Sequence, residues 1–132
     1  MRKILLDTSA YTNLFKKYPL LETLIEEADT VYFSSVVYAE LVEGFSLGSR
    51  DRQNREHLER FLAQYQVHFL DVTRETAEIW SHVRLSLRKN GTPTPVNDIW
   101  IAAQALETGS VLVTYDDHFA RIPGLRTWGV RE

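Results

Sequence analysis

The chain of 132 residues has no cysteine and a single methionine. No disulfide can staple it and no thiolate can hold a soft metal, so a metal site would have to use oxygen or imidazole ligands. Long apolar runs are missing as well. Nothing approaches the roughly 18 to 20 residues that span a bilayer, and Met1-Arg2-Lys3 runs directly into a short apolar segment rather than a signal peptide. A soluble protein of the cytoplasm, without a membrane partner, is the expectation. There is no basic excess either: 15 Lys and Arg stand against 18 Asp and Glu, a formal net charge of -3. That balance excludes a protein that coats nucleic acid through a broad positive field, although it leaves room for a local basic patch. Internal repeats and low-complexity segments are absent. What is present, 44% hydrophobic and 25% charged residues, suffices for one domain, 1–132, with a core of its own.

The most informative stretch is 93–119, PTPVNDIWIAAQALETGSVLVTYDDHF. Two prolines keep its start extended, and Asn97 or Asp98 can cap a helix that is apolar nearly all round, with Gly109 at its stop. Val111-Leu112-Val113 then reads as a strand buried on both faces and leads into Asp116 and Asp117. Charges beside so much apolar surface are costly unless something pairs with them.

Earlier in the chain, Lys3 to Leu6 is a short strand ending at Asp7-Thr8-Ser9, and Ser9 can cap a helix through Leu14 and Phe15 that Tyr18-Pro19 interrupts. Leu20, Leu21, Leu24, Ile25 and Ala28 stripe the next helix, Val31 to Phe33 is a strand, and Ser34 or Ser35 opens a helix over VVYAELVEGF. Gly44 to Gly48 loosens the chain ahead of an arginine-rich segment, which becomes amphipathic at Leu58, Phe61, Leu62 and Tyr65. Val67 to Val72 is the third strand. Thr73 caps a helix that turns Ala77, Trp80, Val83 and Leu87 inward and stops at Asn90-Gly91; Ile122-Pro123-Gly124 is a turn, and Arg126 to Val130 a last strand. Strands alternating with helices predict an α/β sandwich around a mainly parallel sheet. Its functional crevice lies at the carboxyl ends of the strands, where Asp7 and Asp116 stand.

Glu40 adds a third carboxylate from a partly apolar helix face, with Glu43 as its competitor, and Asp98 a fourth at a helix start, where the macrodipole favours the ionised form. Brought together without a cation, each pair at about 5 Å costs ~3 kcal/mol at an effective dielectric of 20, so either some are protonated or a metal sits among them. Oxygen-only ligands select Mg²⁺ or Mn²⁺ over Zn²⁺, and such ions serve phosphoryl chemistry. The four histidines, His57, His68, His82 and His118, share no cluster spacing; His118 alone lies near the acids. Arg50, Arg52, Arg55 and Arg60 span more than two helical turns and cannot share one face. Trp80 and Trp100 read as core residues.

The segments ILLDTS, SSVVYAELVEG, PVNDIWIAAQA and LVTYDDHF, in that order and spacing, resemble the PIN-domain nucleases, and most closely the VapC-type toxins of toxin-antitoxin pairs. The resemblance spans essentially the whole chain. It implies a three-layer α/β/α sandwich with a parallel sheet and an Mg²⁺- or Mn²⁺-dependent endoribonuclease. Asp7, Glu40, Asp98 and Asp116 match the family's acidic positions, with Asp7, Asp98 and Asp116 as metal ligands. Thr8, Ser9, Asn97 and Thr114 resemble the residues that support them, and Asp117 can replace or assist Asp116. The implied partners are an RNA substrate, a cognate antitoxin and a second copy of the chain, for which the tyrosines and apolar residues of 32–45 are candidates. The rival is a non-catalytic scaffold of the same fold that binds RNA or a protein. A receiver-like phosphoacceptor needs an acidic pair after the first strand and a lysine on the last; Asp7-Thr8 and Arg126-Thr127 supply neither.

Overall fold

The computed structural model describes residues 3–65 and 67–129. Its centre is a five-stranded sheet in the order β3-β2-β1-β4-β5, formed by β1 (Lys3–Leu6), β2 (Thr30–Ser34), β3 (His68–Leu70), β4 (Val111–Val113) and β5 (Thr127–Trp128). Every pairing is parallel. Six helices flank the sheet: α1 (Thr8–Asn13), α2 (Pro19–Glu27), α3 (Ser35–Leu47), α4 (Asp51–Gln64), α5 (Arg74–Lys89) and α6 (Val96–Thr108). This is the expected three-layer arrangement. Ile4, Leu5 and Leu6 of β1 and Leu112 and Val113 of β4 are fully buried, as the apolar content of strands covered on both faces requires. From β1 the chain builds outward through β2 and β3, then returns to the other side of β1 for β4 and β5. The strand order therefore reverses between β1 and β4, and a crevice opens beyond their carboxyl ends.

Several local expectations are corrected. The first helix is capped by Asp7, whose side chain accepts from the Ala10 amide, and Ser9 lies inside it; a carboxylate leaving β1 reaches the orphan amides first. Helix α6 begins at Val96 with Pro95 in the cap position, and neither Asn97 nor Asp98 caps it. Pro95, at φ -56° and ψ 142°, makes the turn into the helix by ring geometry alone. That leaves both side chains of 97 and 98 free for other work. Gly109 closes the helix in the left-handed conformation, φ 69°, as expected of a glycine stop.

Gly44 sits within α3, which continues to Leu47. The third strand is only His68–Leu70, and Val72 is exposed beyond it. In α5 the inward position belongs to Thr76, fully buried, while Ala77 faces out: the Thr76 hydroxyl completes a capping box with Thr73, and a hydroxyl with partners on all sides is tolerated where apolar packing was expected. Trp80 and Trp100 are half-buried rather than core; their rings lie 5.2 Å apart at 30°. The expected last strand shrinks to Thr127–Trp128; Val130, like Met1 and Arg2, lies outside the described residues. Among the described residues no helix is long and apolar enough to cross a membrane.

Candidate active site

Asp7, Glu40, Asp98 and Asp116 come from four separate segments and line one cleft of about 270 Å³, together with Thr8, Ser9 and Ile101. Asp7 leaves β1, Asp116 follows β4, Glu40 projects from α3 and Asp98 from the first turn of α6. The cleft thus lies at the point where the strand order reverses. Ile101 was not anticipated. It lies three residues after Asp98, on the same helix face, so the spacing in PVNDIWI contained the signal.

Asp7 is buried, at 4% exposure, and every hydrogen bond it makes comes from a neighbour of fixed position. Its Oδ1 accepts from the Ser9 hydroxyl at 2.7 Å and the Ala10 amide at 2.8 Å, and its Oδ2 accepts from the Thr114 hydroxyl. The same two hydroxyls organise the loop after β4: Ser9 Oγ accepts from the Tyr115 amide and Thr114 Oγ1 from the Asp116 amide. Residues more than a hundred positions apart are thereby locked into one network. Burial pushes the Asp7 carboxyl above its ordinary range in spite of these donors, and the charge of Asp116 adds to the push.

Glu40 is held at both oxygens, by the Thr8 hydroxyl at 2.6 Å and by the Asn97 amide at 3.4 Å. Glu43, its competitor, is exposed and lies outside the acid cleft. Asp98 sits where the helix dipole favours a negative charge, yet its pKa is pushed up to about 6, by burial first and then by Asp116, Glu40 and Asp7, with only His118 opposing. Desolvation and three like charges outweigh the dipole. Asp116 accepts from the His118 amide, and its carboxylate pairs with His118 Nδ1 at 2.7 Å. Asp117 is exposed and lies outside the acid cleft, bordering an adjoining pocket with Thr114, Ala120 and Thr127 that shares Asp116 with the cleft.

Among the described residues no lysine or arginine pairs with any of the four acids, the ion pairs of the arginine-rich helix being Arg52–Glu56 and Arg55–Asp51. The donor set is oxygen-only, with His118 beside Asp116 as its one basic neighbour among the described residues, which suits a hard divalent cation. Among the described residues no group of three His, Asp or Glu side chains closes directly on one point. Water would therefore complete the coordination, as Mg²⁺ ordinarily requires.

A model of the PIN domain matches residues 4–125 of the chain. Ribonuclease VapC2 of Rickettsia felis is 31% identical over 127 residues, covering 92% of either chain. The tRNA(fMet)-specific endonuclease VapC of Salmonella typhimurium is 30% identical over 129 residues, 96% of each. Among solved structures, VapBC2 of Rickettsia felis bound to a DNA fragment from its promoter superposes with a TM-score of 0.85 at 28% identity, covering 98% of this chain and 99% of that one. VapBC-1 of nontypeable Haemophilus influenzae gives 0.86 at 25%, covering 96% and 97%. With a family model over residues 4–125 and nearly full-length similarity to named relatives, the chain belongs to the PIN-domain family, alongside the VapC ribonucleases.

Proposed function

We propose that the protein is a metal-dependent endoribonuclease and the toxin of a toxin-antitoxin pair. One observation carries the reading: four carboxylates, brought from four elements to one cleft, have among the described residues no lysine or arginine to neutralise them, only the exposed imidazole of His118 beside Asp116. A structure that needed only stability would relieve that repulsion.

Asp7, Asp98 and Asp116 are the residues that would hold Mg²⁺ or Mn²⁺, directly or through water. When bound, such an ion supplies an acidified water as nucleophile and neutralises charge on the non-bridging oxygens of a phosphodiester. The chain's own part is positioning. Ser9, Thr114 and the Ala10 amide fix the Asp7 carboxylate so that it cannot swing away. Thr8 and Asn97 aim Glu40 across the cleft, where it orients the attacking water. Asp98, with its pKa near 6, is ionised at neutral pH but gives up that state readily in acid. In-line attack leaves 5′-phosphate and 3′-hydroxyl ends.

The relatives are named ribonucleases, one of them a tRNA(fMet)-specific endonuclease, and one solved relative is a member of the VapBC family of toxin-antitoxin systems. For this chain the first substrates to assay are therefore transfer and ribosomal RNA. A protein antitoxin would cover apolar surface, and Phe15, 57% exposed beside the groove between α1 and α4, offers it. A homodimer, which light scattering on the purified protein would show as twice the chain mass, completes the proposal. Tyr32 and Tyr38 contribute less to it than their composition promised, because they are half-buried against His68 and Phe69 of the same chain.

The test is gel-resolved cleavage of total RNA with Mg²⁺ or Mn²⁺, beside EDTA and Asp98→Asn controls. Cleavage lost in both controls is the expected result. Cleavage that survives both would overturn the metal-site assignment, and its absence in every lane with metal binding intact would favour a non-catalytic scaffold.

A further inference from the structure

A second cavity, of about 370 Å³, opens beside the acid cleft between α3 and α6, and Glu40 lines both. Its wall combines the apolar side chains Val36 and Ala39 with the indole of Trp100, the amide of Asn97 and the carboxylate of Glu43. Trp100 is half-buried and its ring is braced against Trp80. Glu43 lies three residues after Glu40 on α3, which places it on the same helix face but one turn further from the acids. Among the described residues no lysine or arginine borders the cavity.

That lining sorts its ligands. Two carboxylates without a cation repel a phosphate, so the polynucleotide backbone is excluded. An uncharged aromatic group that carries N–H donors is accepted: its face stacks on indole, and its donors meet a carboxylate oxygen and the amide oxygen. Nucleobases with exocyclic amino or imino groups have that chemistry. Uracil offers one such donor, whereas guanine offers an adjacent pair that a carboxylate can take bidentately.

We infer that the cavity between α3 and α6 is a nucleobase subsite joined to the acid cleft, with Trp100 stacking on the base of the nucleotide next to the scissile phosphate and Glu43 accepting hydrogen bonds from its edge. The inference rests on the nuclease reading for the phosphate's position and adds the residues that choose where the RNA is cut. It also gives the paired Trp80 and Trp100 a reason to be only half-buried: a ring needed as a platform must stay open on one side.

Two measurements test it. In the first, the full chain cleaves an RNA pool with a randomised single-stranded segment, and the new ends are sequenced for wild type, Glu43→Gln, Trp100→Ala and Trp100→Phe. In the second, the four homotrinucleotides are titrated against the Asp98→Asn protein by tryptophan fluorescence, with and without Glu43→Gln. A preference of about tenfold for one base at a single position beside the cut is expected in the wild type. Glu43→Gln should flatten it, Trp100→Ala should raise KM roughly tenfold and Trp100→Phe should restore most of that loss. One trinucleotide should quench fluorescence at lower concentration than the rest, and Glu43→Gln should remove the difference.

Cleavage profiles that superimpose across wild type, Glu43→Gln and Trp100→Ala would overturn the subsite while leaving the nuclease intact. Base-selective quenching together with a wild-type protein that cleaves no RNA would instead sink the nuclease reading and keep the pocket. Stronger protection by N-acetylarginine amide than by any trinucleotide would assign the cavity to a basic side chain of a protein partner. A change from dimer to monomer in the Trp100 and Glu43 variants would assign it to a contact between copies. Either of these last two results also overturns the proposal.

Discussion

At the contact between α5 and α6, the buried Thr76 donates to Glu107 Oε1 at 2.6 Å and Thr73 to Oε2 at 3.3 Å; at the ends of β1 and β4, Thr114 and Ser9 donate to Asp7. The two arrangements use the same chemistry, hydroxyls holding a carboxylate across a long stretch of sequence. They differ in what surrounds the acid. Glu107 is exposed and carries its charge into water, so its hydrogen bonds simply tie two helices together. Asp7 is buried and faces three further acids. There the hydroxyls fix an acid that the fold alone would rather protonate. A polar network in a protein is thus structural or functional according to whether its charge is satisfied, not according to how many bonds it makes.

Breaking each network separates the two roles. Asp98→Asn should lower cleavage by ~10³-fold or more, since a lost ligand forfeits several kcal/mol of transition-state stabilisation, while the metal-free protein melts a few degrees higher as repulsion is relieved. Glu107→Gln should leave cleavage within about twofold and cost roughly 1 kcal/mol of stability in denaturant unfolding. Thr114→Val, which strips a donor from Asp7 and an acceptor from the Asp116 amide, should reduce metal affinity or activity by ~10- to 100-fold. It should also destabilise by about 1–3 kcal/mol. Thr76→Val should show a similar loss of stability with no loss of cleavage. If the two threonine variants behave alike in both assays, the distinction fails.

A subtler separation comes from pH. Unfolded, Asp98 releases its proton near the ordinary 3.8; folded, it holds the proton up to about 6. Between those values the folded chain binds more protons than the unfolded one, so stability falls as pH rises. Asp7 shifts in the same direction. Thermal melts of the metal-free protein should therefore drop as pH climbs from about 4 to about 7. Saturating Mg²⁺ and the Asp98→Asn substitution should each flatten the slope. Among the substitutions beside the acid cleft, the smallest effect expected is that of His118→Asn. Its pairing with Asp116 is largely solvent-exposed, so cleavage should change by roughly two- to threefold.

Much of this was legible before any coordinates. Apolar triplets such as Ile4-Leu5-Leu6 and Val111-Leu112-Val113 allow little but buried parallel strands, and an acid beyond each, Asp7 directly after the first and Asp116 past Thr114 and Tyr115 after the second, marks the crevice. Local signals misled where one residue had two uses. Asn97 and Asp98 are good helix caps, yet Pro95 sets the helix start by its ring, and the two polar side chains turn to the cleft instead. Ser9 was the more familiar cap, but Asp7 came first along the chain. Pairings such as Thr114 with Asp7 or Thr76 with Glu107 have no periodicity to announce them, because they depend on which elements the topology makes neighbours.

The central place of β1 sets the order in which this machine can be assembled. Synthesis delivers β1 first, but its neighbour β4 and the hydroxyl of Thr114 follow more than a hundred residues later, and non-local contacts of this kind form late. Until residues 111–116 have emerged from the ribosome, Asp7 lacks the partner that aims it and the acids of the cleft remain scattered. On the proposed reading, a chain from which residues 111–116 have yet to emerge has no assembled site with which to cut RNA.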